Sequence, residues 1–178
     1  MTDIQPRLPL INRLNVSTLA EFGAALRPLF ETAGPLAEAL YAARPYTSYA
    51  DVIDHAESIA TRLPLAQQIE LVNAHPRIGE DAAAVRSRSS LSYREQGYDR
   101  ESSVPTDDLQ RIYAELAELN RKYEDRFGFR FVVFVNQRAK SEIVDLMRDR
   151  LHNSRESELE SALRELFSIA RDRCQQLR

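Results

Sequence analysis

The sequence is poor in the residues that build disulfide, redox and metal sites. Cys174 is the only cysteine among 178 residues, so a disulfide within the chain and a cysteine-based metal cluster are both excluded. His55, His75 and His152 form no HxxxH pair, which leaves a metal site with little support. The sequence also contains no glycine-rich phosphate loop, nucleophile elbow or dinucleotide fingerprint. Chemistry that depends on a metal or an organic cofactor therefore lacks its usual signatures.

Long apolar runs and an excess of positive charge are absent as well. No apolar stretch approaches the roughly 20 residues that a membrane helix needs, and a net charge of −3 provides no basic field for nucleic acid. The opening MTDIQPRLPLINRLN lacks the apolar core of a secretory signal, and the final QQLR matches no targeting tail. We therefore expect a single cytoplasmic domain over residues 1–178, with neither membrane nor nucleic acid as a partner.

Helical periodicity dominates what the sequence does contain. Only five glycines are present, and apolar residues recur at helical spacing, so we expect an all-α fold. Thr18 followed by Glu21 matches a capping box, and Pro64 suits the first turn of a helix. The pattern predicts helices over residues 19–31, 35–43, 48–63, 64–75, 107–126 and 141–151, with a last one from Asn153 or Ser154 to Cys174.

Two segments depart from this helical pattern. Residues 77–104 lack steady periodicity, so we expect part of this span to be irregular, with a short helix near residues 92–97. Gly128 interrupts the next helix, and the aromatic and β-branched run over residues 129–135 prefers extended backbone. One or two short strands, or a buried extended segment, are therefore predicted there.

His75 is predicted to lie at a helix end. Pro76 disfavours helical geometry in the residue before it and restricts the backbone, so the imidazole would point in a defined direction. Histidine titrates near neutrality, which suits it to proton transfer. Taken alone, this feature favours the plainer alternative of a histidine that only caps the helix C-terminus.

The stretch SYREQ places three polar side chains on one face of a helical turn. Ser92, Glu95 and Gln96 lie at spacings of three and four residues. Together they donate and accept hydrogen bonds in a way that matches the paired N–H and C=O groups of a urea or an amide. The alternative is a capping box on a surface helix, with Ser92 as the cap and Glu95 reaching back to it. Spacing alone leaves both interpretations open.

Five stretches occur in an order that resembles one enzyme family. They are NAHPRIG, LSYREQG, LAELNRKYEDRFGFRFVVFV, KSEIVDLMRDRLHNSRESEL and IARDR. Together they resemble the 2-oxo-4-hydroxy-4-carboxy-5-ureidoimidazoline (OHCU) decarboxylases, which form (S)-allantoin and CO2 in the last step of urate breakdown. The resemblance covers nearly the whole chain. It implies an all-α fold, a homodimer, a small ureidoimidazoline substrate, and no metal or organic cofactor.

The resemblance also assigns roles to the matching positions. It implies that His75 and Glu95 are catalytic, with His75 transferring the proton, and that Pro76 forms a wall beside the substrate. It places an arginine near the C-terminus, matched by Arg173, although Arg171 is close enough in sequence to compete. The implied substrate-binding residues are Pro76, Ser92, Tyr93, Arg94, Glu95, Gln96, Phe131, Val132, Val133, Phe134, Val135 and Arg173.

Two stretches depart from the family pattern and keep other functions open. Arg130 stands where Pro or a smaller residue is common, and RAKSE replaces a more usual Lys-rich turn. These departures leave room for a paralogue with a different substrate. Two other classes of function also remain: a helical ureide-binding module without catalysis, and an interaction protein that uses its amphipathic helices.

Overall fold

The computed structural model describes residues 7–32, 34–101 and 106–177. These residues form ten α-helices and one 3₁₀ turn, without a β-strand among them, and the all-α prediction is confirmed. No helix in these ranges has both the length and the hydrophobicity needed to cross a membrane. The helices are α1 (Ile11–Val16), α2 (Leu19–Phe30), α3 (Gly34–Ala42), α4 (Tyr49–Ala60), α5 (Leu65–Asn73), α6 (Ala82–Arg88), α7 (Ser90–Glu95), α8 (Asp107–Phe127), α9 (Lys140–Arg150) and α10 (Arg155–Gln176), and the 3₁₀ turn is Tyr98–Arg100.

The chain divides into two compact units. The first contains the described residues up to Ala74 together with those from Leu163 onward, and the second runs from His75 to Ala162. Helices α1 to α5 belong to the first unit, and α6 to α9 belong to the second. Helix α10 begins in the second unit and ends in the first. The expectation of a single domain stays a prediction.

Capping side chains start several helices where the sequence predicts them. The Thr18 hydroxyl accepts a hydrogen bond from the Glu21 N–H at 3.3 Å, and a Glu21 carboxylate oxygen accepts from the Thr18 N–H at 2.9 Å. Ser48 caps α4, and Thr106 caps α8. Each cap satisfies a backbone N–H that the helix cannot pair itself, which stabilises a helix by about 1 kcal/mol.

Helices α6 and α7 occupy a span for which we expected partly irregular structure. The Asp81 carboxylate accepts from the Ala84 N–H at 2.9 Å and begins α6, while the Ser89 hydroxyl accepts from the Ser92 N–H at 3.1 Å and begins α7. Both helices are shorter than the window over which apolar periodicity becomes visible, so the sequence did not reveal α6. Residues 77–81 of the same span are irregular, in agreement with the expectation for part of it. The predicted short helix near residue 92 exists but starts two residues earlier, at Ser90.

The core of the second unit is built around Tyr123 on α8. Its ring lies edge-on to Phe127, Phe129 and Phe131, with centroid distances of 4.5, 6.0 and 5.2 Å. The extended run over residues 129–135 is largely buried, as predicted, but it pairs with no strand among the described residues. Side chains take the place of a strand partner, because the carbonyl of Val132 accepts a hydrogen bond from an arginine of α9.

Candidate functional site

His75 lies directly after α5, at the start of a short loop. Helix α5 ends at Asn73, two residues earlier than the sequence predicted, and Ala74 is its C-cap. His75 is only 4% exposed, and its carbonyl accepts a hydrogen bond from Nη1 of Arg130 at 2.9 Å. We refer to residues 75–79 as the His75 loop.

Two amide side chains bind backbone groups of Arg77, Ile78 and Gly79 in the His75 loop. Oε1 of Gln96 accepts from the Gly79 N–H at 3.1 Å, and Nε2 of Gln96 donates to the Arg77 carbonyl at 3.2 Å. Nδ2 of Asn120 donates to the Ile78 carbonyl at 2.9 Å. The loop lacks regular secondary structure, so these side chains supply hydrogen bonds that a helix or sheet would otherwise provide.

We call Gln96, Asn120 and Arg130 the loop brace. They come from the end of α7, from α8 and from the extended run after α8, so three separate elements hold one loop. Each hydrogen bond contributes about 1 kcal/mol, and a buried backbone group left unpaired costs about 1–3 kcal/mol. The sequence offered no signal for Asn120, because a single asparagine within an amphipathic helix looks like any other polar position.

Gly79 allows the His75 loop to lie against α8. Its φ of +74° is in the left-handed region, and a Cβ built there would lie 2.8 Å from Cδ1 of Leu116. A side chain would therefore meet both backbone strain and a clash with a buried leucine.

Ser92 lies inside α7 and does not cap it. Ser89 is the N-cap, so the alternative in which Ser92 forms the cap of a surface helix is wrong. Ser92 is 3% exposed, Gln96 is also buried, and Glu95 is partly exposed. Because Gln96 bonds to Arg77 and Gly79, the structure brings the SYREQ stretch and the His75 loop together.

Gln96 retains capacity for a ligand while it holds the loop. An amide has two N–H donors and two acceptor lone pairs, and the loop uses one of each. The predicted contact between Gln96 and a ureide stays a prediction. The loop contacts give Gln96 a second role, which is to fix the position of the residues beside His75.

Tyr93 and Arg94, the other two residues of SYREQ, contact neighbouring groups of the protein. Tyr93 stacks on Tyr98 at 5.4 Å between centroids, and Nε of Arg94 lies 3.4 Å from the Ser90 carbonyl. Tyr98 in turn donates to the Glu80 carbonyl at 2.6 Å, and burial raises the pKa of its phenol. Tyr93 thus has a packing role. Substrate binding by Tyr93 and Arg94 stays a prediction.

A cluster of tyrosine and lysine side chains supports the end of α7, and no sequence pattern indicated it. Tyr98 stacks nearly parallel on Tyr113, with centroids 6.2 Å apart, and Nζ of Lys140 lies 4.8 Å from the Tyr98 ring centroid. Lys140 also donates to the Gln96 carbonyl at 2.8 Å and forms an ion pair with Glu101. These contacts fix the backbone that carries the Gln96 side chain.

The predicted pocket-lining run from Phe131 to Val135 is mostly buried. Phe131 packs in the Tyr123 cluster, whereas Phe134 is partly exposed. Side chains already occupy several backbone acceptors of the run: Arg138 donates to the carbonyls of Phe134 and Val135. The pocket-lining role of this run, with backbone groups offered to a substrate, stays a prediction. It concerns Phe131, Val132, Val133, Phe134 and Val135.

A buried ion pair lies behind this run. Nε of Arg150 is 2.8 Å from a Glu158 carboxylate oxygen, and Asn153 donates to the other oxygen at 2.7 Å. Tyr123 also donates to Glu158, and burial together with this carboxylate raises the pKa of Tyr123. Nη1 of Arg150 donates to the Val132 carbonyl at 3.0 Å, so the pair anchors the extended run.

The two C-terminal arginines have different surroundings within the first unit. Arg173 is 0% exposed, with Nη2 2.7 Å from a Glu31 carboxylate oxygen and Nη1 donating to the Pro28 carbonyl at 3.2 Å. Arg171 has a side chain that is 43% exposed and pairs with two surface carboxylates. The substrate contact assigned to Arg173 stays a prediction. Across the described ranges, no group of three or more His, Cys, Asp or Glu side chains is arranged to hold a metal ion.

Comparisons with known proteins identify relatives over most of the chain. A model of the OHCU decarboxylase family matches residues 15–175. The Bacillus subtilis uric acid degradation bifunctional protein PucL is 32% identical over 163 residues, which cover 92% of this chain and 31% of that protein. The Mus musculus OHCU decarboxylase is 28% identical over 158 residues, which cover 89% of this chain and 86% of that protein. The chain thus spans about a third of the length of the bifunctional relative.

Two solved structures share the fold. An OHCU decarboxylase crystallised in the presence of (S)-allantoin aligns with a TM-score of 0.65 and 22% identity, covering 85% of this chain and 95% of that one. An (S)-allantoin synthase aligns with a TM-score of 0.63 and 21% identity, covering 95% of this chain and 54% of that one. The resemblance predicted from the sequence is confirmed, and the chain belongs to the OHCU decarboxylase family.

Proposed function

We propose that this protein decarboxylates OHCU to (S)-allantoin and CO2 in urate catabolism, without a metal or organic cofactor, as a cytoplasmic homodimer. The family match over residues 15–175 supports the reaction class. The observation that supports this site for the reaction is the pair of hydrogen bonds between the Gln96 side chain and the His75 loop. These bonds link the acid-base candidate to the polar residues of α7.

The substrate can act as its own electron sink. Its carboxylate is on C4, next to the C5=N bond of the ring. When the bond between C4 and the carboxylate breaks, its electron pair forms a C4=C5 double bond. The π electron pair of the C5=N bond moves at the same time to the ring nitrogen. The ring nitrogen then takes up one proton and C5 takes up a second, and the C4 hydroxyl loses its proton as the C4 carbonyl forms. The net result is one proton taken up for each CO2 released, and the face of C5 that is protonated decides between (S)- and (R)-allantoin.

The protein has to supply orientation and proton transfer. In the proposed mechanism His75 delivers the proton, Glu95 assists it, and Ser92 and Gln96 hold the ureido arm by hydrogen bonds. A firmly held His75 loop suits this task, because stereochemical control requires the acid to approach from one side. Burial of His75 and Ser92 supports a water-poor environment, in which such hydrogen bonds are stronger than in water.

The test is coupled turnover of the unstable substrate. Urate oxidase and hydroxyisourate hydrolase generate OHCU from urate, and circular dichroism follows the formation of optically active allantoin. Wild type should form the (S) product, whereas His75→Ala should show only the spontaneous rate and a racemic product. His152→Ala, at an exposed histidine, is the matched control and should behave as wild type.

Two results would contradict the proposal. If His75→Ala matched wild type in rate and optical purity, His75 would not be the catalyst. If wild type bound allantoin without accelerating decarboxylation, the ureide-binding alternative would replace the enzyme.

A further inference from the structure

Arg130 contacts the backbone of the residue proposed to transfer the proton. Its Nη1 donates to the His75 carbonyl at 2.9 Å, in a half-buried position. The next residue is Pro76, whose ring fixes its own φ and restricts the conformation of His75. The direction of the His75 carbonyl defines ψ at His75, so this hydrogen bond constrains the backbone torsion that follows the Cα carrying the imidazole.

The electrostatic surroundings of Arg130 contain effects that oppose its charge and effects that favour it. Burial, followed by the charge of nearby Arg77, lowers the pKa of Arg130. Both effects disfavour a charged guanidinium at this position, and the nearby carboxylates of Glu124 and Glu80 offset part of that cost. Arg77 itself is bound by two hydrogen bonds to Glu124, of 2.5 and 2.8 Å.

The other two residues of the loop brace, Gln96 and Asn120, bind the part of the loop that follows Pro76. Gln96 binds Arg77 and Gly79, and Asn120 binds Ile78, so these three loop residues also have a backbone group fixed by a side chain. Arg130 is the member of the brace that acts on His75 itself. The sequence marks it as a departure from the family pattern, and the structure gives it a specific contact.

We propose that Arg130 is a positioning residue for His75, acting through the His75 carbonyl and not through the substrate. This inference rests on the proposed function. Without the guanidinium, the His75 peptide can rotate, and the imidazole loses its alignment with the carbon that is protonated. A misplacement of about 1 Å can cost on the order of 100-fold in rate. Binding of the ureide by α7 should change little, because Arg130 does not belong to α7.

The experiment compares three variants of the full chain in the coupled assay. Arg130→Met keeps the apolar stem and removes the donors, and it should lower kcat at least about 10-fold with KM within about twofold of wild type. Arg130→Lys keeps a cationic donor and should recover part of kcat. Arg126→Met is the control. Arg126 is exposed, and its Nη2 lies 3.4 Å from the backbone carbonyl of Asn153, outside the His75 loop. This variant should leave kcat and KM unchanged.

Hydrogen exchange provides a readout that does not depend on activity. Backbone amides of residues 77–79 should exchange faster in Arg130→Met than in Arg126→Met. If Arg130→Met does not fold, the same comparison is made with Arg130→Lys, where exchange should still exceed wild type. The inference would be overturned if hydrogen exchange were unchanged, or if the variant affected only KM. It would also be overturned if the kcat of Arg130→Lys were no higher than that of a folded Arg130→Met. A wild type with no decarboxylase activity would overturn the proposed function, whatever the exchange result.

Discussion

The side-chain oxygen of Gln96 accepts a hydrogen bond from the backbone N–H of Gly79 at 3.1 Å. The same side chain donates to the Arg77 carbonyl, so one amide spans the loop on both sides of Ile78. The loop that begins with His75 is therefore attached to the helix that carries Ser92 and Glu95. Two hydrogen bonds of one side chain thus connect the two motifs directly.

Gln96→Leu should damage both stability and activity. Leucine has a similar volume but cannot bond to Arg77 or Gly79, so two backbone groups lose their partners, and we expect the free energy of unfolding to fall by about 1–3 kcal/mol. Urea denaturation measures this change. Gln110→Leu, at an exposed position on α8, is the control and should change stability by less than about 0.5 kcal/mol. Equal effects for the two variants would show that the loop contacts of Gln96 contribute nothing to stability.

Gly79→Ala should cost more stability than Gly128→Ala. Both glycines have a φ near +80°, so both substitutions carry the same kind of backbone strain, of about 1 kcal/mol or more. At Gly79 the new Cβ would also lie 2.8 Å from Leu116, whereas at Gly128 its nearest neighbour is an arginine nitrogen at 3.8 Å. The difference between the two free energies of unfolding isolates the clash. If Gly79→Ala were no less stable than Gly128→Ala, Leu116 on α8 would be able to move away from the new Cβ without a loss of stability.

The Arg150 and Glu158 pair should show strong coupling in a double-mutant cycle. Arg150→Met leaves the Glu158 carboxylate, which is 0% exposed, without its cationic partner, and should cost about 3–5 kcal/mol. Adding Glu158→Leu removes that unpaired charge, so the double variant should be less destabilised than the sum of the two single variants. Chemical denaturation of the four proteins gives the coupling energy. Additive effects would mean that Asn153 and Tyr123 alone satisfy the carboxylate.

Several helix starts could be predicted because their cause is local. Thr18 with Glu21, Ser48 and Thr106 cap helices where the sequence placed them, since a cap involves residues three positions apart. The short helix α6 was missed for the opposite reason. Seven residues make only two turns, too few for an apolar stripe to stand out from chance.

The sequence by itself determined the helical class, the position of His75 after a helix and the identity of the polar residues on α7. These features depend on local spacing, on caps and on the restriction imposed by Pro76. Only the tertiary structure decided which side chains hold the His75 loop. The contacts of Asn120 with Ile78 and of Arg130 with His75 join residues 42 and 55 positions apart. Such pairings follow from how the elements pack, and no periodicity along the chain encodes them.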